Sequence, residues 1–161
     1  MSSIEKCSLP DNALLQKYAQ SGAYTDCYSV LLTNAVSHAD FVASFYTTWL
    51  FKLERFILRW VVSKPSTDEQ ARLLADGQLD AFAAWYVEAR AYNQLLMCDF
   101  RDRTRSWLMV FESRLYFGSA VVPARHPGSD KPSLGPMSQI LLGFHRRYSK
   151  ALLYAARSRL Q

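Results

Sequence analysis

Between residues 84 and 122, four short runs rich in strand formers follow one another with only small polar turns between them. The runs are 84–91, 95–100, 104–111 and 114–122. Tyr92-Asn93-Gln94, Arg101-Asp102 and Glu112-Ser113 separate them. A chain that reverses this often can pair its strands only antiparallel, because a parallel crossover needs a dozen residues or more. The stretch 79–100 carries two patterns. Leu79, Phe82, Ala83, Tyr86 and Val87 fit a helix, whereas Trp85, Val87 and Ala89 alternate with Tyr86, Glu88 and Arg90 as in a strand. The three strand-like runs that follow tilt the reading to an antiparallel meander.

Helical periodicity dominates before the meander. A short helix over 12–20 ends at Gly22, and a strand is expected over 24–33. Ser37 then caps a long apolar segment with Asp40 in its first turn. Phe41, Phe45, Trp49, Leu53, Phe56 and Trp60 recur there at three- and four-residue steps, the mark of a buried helical face. Thr47-Thr48 marks a break near Trp49. Lys64-Pro65 ends the segment, and Ser66 with Glu69 has the spacing of a capping box for a helix over 67–75 that stops at Asp76-Gly77. After the meander, the Pro- and Gly-rich tract 124–136 reads as a loop. Ser138 opens a final helix to about 160, with Ile140, Leu141, Phe144, Tyr148, Leu152 and Ala155 as its apolar line.

These elements imply an α+β fold: a curved antiparallel sheet packed against a long C-terminal helix and an N-terminal helical segment. One domain over 1–161 is expected, with 1–22 an extension and 24–156 the core. Half of the residues are hydrophobic and 14% are aromatic, enough for a core without staples and enough rings to line a pocket. Cys7, Cys27 and Cys98 are far apart in sequence, which argues against a disulfide framework or a zinc site and for reduced thiols. The first residues lack a basic start followed by an apolar run, and Lys52, Glu54, Arg55 and Arg59 interrupt the longest apolar stretch. A cytoplasmic protein without a membrane span is the expectation. Residues 1–100 hold 8 basic and 11 acidic side chains, and residues 101–161 hold 11 and 3. The basic half suits an anionic ligand or surface, although a solvated face accounts for it equally.

No nucleotide loop, nucleophile elbow or metal-ligand spacing is present in the sequence. No cofactor and no metal are therefore expected. Strand alternation puts Tyr86, Glu88 and Arg90 on one face, and Arg103, Arg105, Trp107, Met109 and Phe111 on another. Arg105 among large apolar side chains needs a partner, which is either Glu88 or the acid group of a ligand. His145 lies beside Phe144 in the last helix, as a satisfied core residue or as a pocket acid or base.

The order strand, helical stretch, meander and long C-terminal helix resembles the helix-grip layout of the START and Bet v 1-like superfamily. In that layout a curved sheet wraps the last helix around an apolar cavity. The motifs WYVEAR (85–90), LLMCD (95–99), RTRSWL (103–108), RLYF (114–117) and GFHRRY (143–148) stand in an order that resembles a bacterial family catalogued as a domain of unknown function. That resemblance covers roughly residues 24–156 and implies a bacterial cytoplasmic protein, with no catalytic residue to carry over.

Together these readings point to an internal cavity that binds a small hydrophobic or amphipathic, anionic molecule. Trp85, Trp107, Phe117 and Phe144 would line it, and Glu88, Arg105 and His145 would supply polar contacts. The alternatives are a cyclase, isomerase or hydrolase on the same scaffold and a homodimeric interaction module. Nucleic acid is not an expected partner, since no aromatic RNA-binding signature accompanies the basic residues.

Overall fold

The computed structural model describes residues 3–52, 66–122 and 136–160, with the side chains of 136–147 outside that description. The elements run β1 (Glu5–Lys6), α1 (Gln16–Gln20), β2 (Tyr24–Leu31), α2 (His38–Tyr46), α3 (Asp68–Ala75), β3 (Ala81–Phe82), β4 (Trp85–Ala91), β5 (Gln94–Asp99), β6 (Thr104–Phe111), β7 (Arg114–Val121) and α4 (Pro136–Leu160). The strands form one open sheet in the order β1-β2-β7-β6-β5-β4-β3, antiparallel throughout. The α+β class and the meander are as the sequence implies, and the ambiguous stretch 79–100 is strand. The turns at Asp102 and Glu112 adopt left-handed φ values of 58° and 54°, as tight reversals between strands require.

Each face of the sheet buries a different core. On one face Tyr28, Val30, Leu95, Met97, Leu108, Leu115 and Phe117 meet side chains from α2, α3 and the last turns of α4. The ring of Phe45 lies at the centre, 4.9 Å from Phe117, 5.3 Å from Tyr46 and 6.1 Å from Phe41. On the other face Cys27, Leu96, Trp107, Met109 and Ala120 lie under Ala13 and Leu15. The segment 7–20 thus acts as a strap across the sheet. Gln94 fastens it: its Oε1 accepts from Leu14 N and from the Trp107 indole, each at 2.9 Å, and its Nε2 donates to Asn12 O at 3.0 Å. Gly118 lies directly across from Trp107, and a Cβ there would come within 2.9 Å of the indole and 3.0 Å of Leu15. The strap and the ring fit because that position carries no side chain.

Several local expectations shift. The first helix spans only Gln16–Gln20, with turns before it. The capping box is one residue later than Ser66 and Glu69 suggested. Thr67 is extended, its hydroxyl accepts from Gln70 N at 3.1 Å, and Gln70 Oε1 accepts from Thr67 N at 3.0 Å. α4 begins at Pro136 rather than Ser138, consistent with proline's fitness for a first helical turn. Its buried stripe in the described turns is Ser149, Leu152, Leu153 and Ala156, while Ala155 turns away from the core.

The break at Thr47-Thr48 is real and has a consequence. The Thr47 hydroxyl donates back to Ala43 O at 2.7 Å, and Thr48 Oγ1 accepts from Phe51 N at 3.2 Å, which restarts a helix over 49–52. The restart changes which side chains face inward. Phe51 is buried, and Trp49, expected on the buried stripe, is 71% exposed. Leu53, Phe56 and Trp60 of that stripe lie outside the described residues, as does the loop over 124–135.

Candidate functional site

The expected pair of Glu88 and Arg105 forms, and the strap completes it. Arg105 is 6% exposed, yet every group around it belongs to the chain. Its Nε donates to Glu88 Oε2 at 2.6 Å and to the Tyr18 hydroxyl at 2.7 Å, and its Nη2 pairs with Asp102. The Tyr18 hydroxyl donates in turn to Glu88 Oε1 at 2.6 Å, and Lys17 pairs with the same carboxylate. The guanidinium also lies 4.7 Å from the centre of the Tyr18 ring. Burial raises the Glu88 carboxyl, but Lys17, Tyr18 and Arg105 together hold it below its ordinary value. Burial and the Glu88 carboxylate push the Tyr18 hydroxyl up to about 12, so it remains a donor at neutral pH. With its donors and acceptors met inside the chain, this network holds the strap to the sheet.

The bulge between Val87 and Ala89 explains how Glu88 reaches this position. Met97 pairs with Val87 and Leu96 with Ala89, so Glu88 is the extra residue. Glu88 and Ala89 therefore both face the strap, and Arg90 turns to the helix side. There it donates to Leu74 O at 3.0 Å and Leu79 O at 2.6 Å. The expected common face of Tyr86, Glu88 and Arg90 fails at Arg90 for this reason.

The remaining site residues do not converge on one cavity. Trp107 is fully buried on the strap face with Arg105, whereas Trp85 and Phe117 belong to the core on the helix face. The sheet separates the two sets. Phe144 and His145 lie in α4, and their side chains are outside the described residues.

Asp26 escaped the sequence reading. It is 3% exposed, and alternation from Tyr28 and Val30 puts it on the helix face. Its Oδ1 accepts from Ser119 Oγ at 2.5 Å and Ser119 N at 3.2 Å, and its buried Oδ2 has no hydrogen-bond partner. Ser106 continues this buried polar row across the sheet, opposite Ser119.

An open groove of about 910 Å³ runs between the restarted helix, the residues before β1 and the last turns of α4. Ile4, Trp49, Leu50, Ala151, Tyr154 and Ala155 provide apolar walls, and Lys150, Arg157 and Arg159 stand along it. Trp49 and Tyr154, 71% and 56% exposed, present their rings to it. Arg159 donates to Thr47 O at 2.5 Å and Thr47 Oγ1 at 2.8 Å, which ties the end of α4 to the break that exposes Trp49. Lys150 lies 5.4 Å from the Tyr28 ring centre. Two signals for this groove were legible: the basic side of the last helix and the Thr47-Thr48 break. Nothing in the sequence joined them.

No family model, curated protein or solved structure matches the chain. Among the described residues, no helix is long and apolar enough to cross a membrane.

Proposed function

We propose that this protein binds a small amphipathic acid, an apolar body with one anionic head, in the groove beside the C-terminal helix. The observation that carries the reading is the pairing of two exposed rings, Trp49 and Tyr154, with the cations Lys150, Arg157 and Arg159 along one concave surface. An exposed apolar patch of this kind marks a binding surface more often than a resting one. Its volume suits a single drug-sized molecule. The apolar walls would take the body of the ligand, and the cations would fix its orientation through charge-assisted hydrogen bonds. The reading keeps the ligand class implied by the helix-grip likeness and moves the site from the interior to the surface. It favours binding over catalysis: Glu88, the carboxylate considered as a base, is already engaged by Lys17, Tyr18 and Arg105.

Isothermal titration with dodecanoate and dodecanol tests the proposal. The acid binds about tenfold more tightly than the alcohol, a difference of about 1.4 kcal/mol. Trp49→Ala weakens both ligands, whereas the double substitution Lys150→Gln, Arg157→Gln removes the preference for the acid. Equal binding of acid and alcohol to the unaltered protein, or an unchanged affinity in Trp49→Ala, overturns the reading.

A further inference from the structure

The backbone beyond β1 brings two distant cysteines face to face. Glu5 pairs with Ser29 and Lys6 with Tyr28, and Cys7 N then donates to Cys27 O at 3.0 Å, which extends the register by one residue. Cys7 thus lies directly across from Cys27, and their sulfurs are 3.3 Å apart as free thiols. Residues opposed on antiparallel strands have Cα atoms roughly 4.5–5.5 Å apart, inside the range a disulfide spans. A bond of about 2.05 Å needs the sulfurs to close by little more than 1 Å.

The two thiols differ in ways that assign them roles. Cys7 is half-buried and open to a reagent, and Cys27 is buried behind it. The Cys27 thiol hydrogen-bonds Cys7 and draws it down to about 7, against burial, aided by the Ser29 hydroxyl and the Arg114 guanidinium and opposed by Glu5. Arg114 donates to Ser29 Oγ at 3.0 Å, so this polar surround is itself ordered. Cys27 is pushed far up by Cys7, by burial and by Asp26. Cys98 lacks such a neighbour: burial and Asp102 push it up to about 11.

We propose that Cys7 and Cys27 form a reversible thiol–disulfide site, with Cys7 as the attacking thiol, Cys27 as the resolving thiol and a small disulfide of the glutathione class as oxidant. The Cys7 thiolate, its proton released to water, attacks one sulfur of glutathione disulfide. A mixed disulfide forms and one glutathione thiolate leaves. Cys27 is then freed from the charge that raised it. It loses its proton and attacks the Cys7 sulfur, and the second glutathione leaves. The protein gives up two hydrogens, and one glutathione disulfide becomes two glutathione thiols. The bond closes the loop from 7 to 27, which contains the strap with Leu15, Lys17 and Tyr18. Oxidation therefore staples the strap that completes the Arg105 network.

The experiment equilibrates the folded, full-length chain with a series of reduced-to-oxidised glutathione ratios. It is then quenched in acid, alkylated with iodoacetamide and mapped by mass spectrometry. The expected product is a Cys7–Cys27 cross-linked peptide that dithiothreitol reverses, with Cys98 still alkylated. In the fully reduced protein at pH 7, Cys7 alkylates at least about tenfold faster than Cys98, because the thiolate is the reactive form. Cys27→Ala traps glutathione on Cys7. Stable glutathione on Cys7 of the unaltered chain with Cys27 still alkylated overturns the proposal, as does oxidation of Cys98 ahead of Cys7. The map of the unaltered chain decides the matter even where a variant fails to fold.

Discussion

Both faces of the sheet bury a charged side chain, and they treat it differently. On the strap face, Arg105 is enclosed by Glu88, Tyr18 and Asp102. On the helix face, Asp26 has one oxygen held by Ser119 and the other buried without a partner. A buried charge whose partners all come from the chain does structural work. It costs desolvation and returns a fixed geometry, here the seating of a strap that has few apolar residues of its own. The helix face needs no such device, because its cohesion comes from close-packed rings. The spare oxygen of Asp26 therefore contributes little to stability, and among the interior polar groups it is the one with unused binding capacity.

The largest effect should come from the rings. Phe45→Ala removes the centre of the helix-face cluster and should cost about 3–5 kcal/mol in urea denaturation. A loss below about 1 kcal/mol would mean that the face is not held by packing. Glu88→Gln should be next, at about 2 kcal/mol, since it weakens a charge-assisted partner of buried Arg105. Adding Arg105→Met should recover part of that loss, as apolar replacement of a buried pair often does. The pH dependence follows from the same carboxylate. Its folded-state value is depressed, so the unfolded chain takes up the proton first as pH falls. The stabilisation is complete above the ordinary value of 4.5 and is lost as pH falls below it through the folded value. In Glu88→Gln the acid limb of the stability curve should be shallower. The smallest effect is expected for Asp26→Asn, which keeps Oδ1 as an acceptor for Ser119 and should change stability by less than about 1 kcal/mol. A loss as large as that of Glu88→Gln would erase the distinction between the faces.

Much of the fold was legible because it is local. The turns at Tyr92-Asn93, Arg101-Asp102 and Glu112-Ser113 are short enough to dictate antiparallel pairing, and the Ser37 cap is written in adjacent residues. The pairing of Glu88 with Arg105 was also legible, because an arginine in line with Trp107 and Met109 must find an opposite charge. The single cavity was not, for two reasons. The bulge at Glu88 shifts the alternation by one residue, and no pattern in the sequence marks that extra residue. The strap also occupies the face on which the cavity was expected.

The sequence alone determined the class of fold, the order of its elements and the residue types that had to be neutralised. These follow from periodicity, turn chemistry and the cost of burying charge, all of which act over a few residues. The tertiary structure decided which face of the sheet each element covers. It put Trp49 outside the core by restarting a helix after Thr48, set its ring beside Tyr154 and the cations of α4, and laid Cys7 across from Cys27. Those meetings join residues far apart in sequence, and only packing, which acts through space, can bring them together.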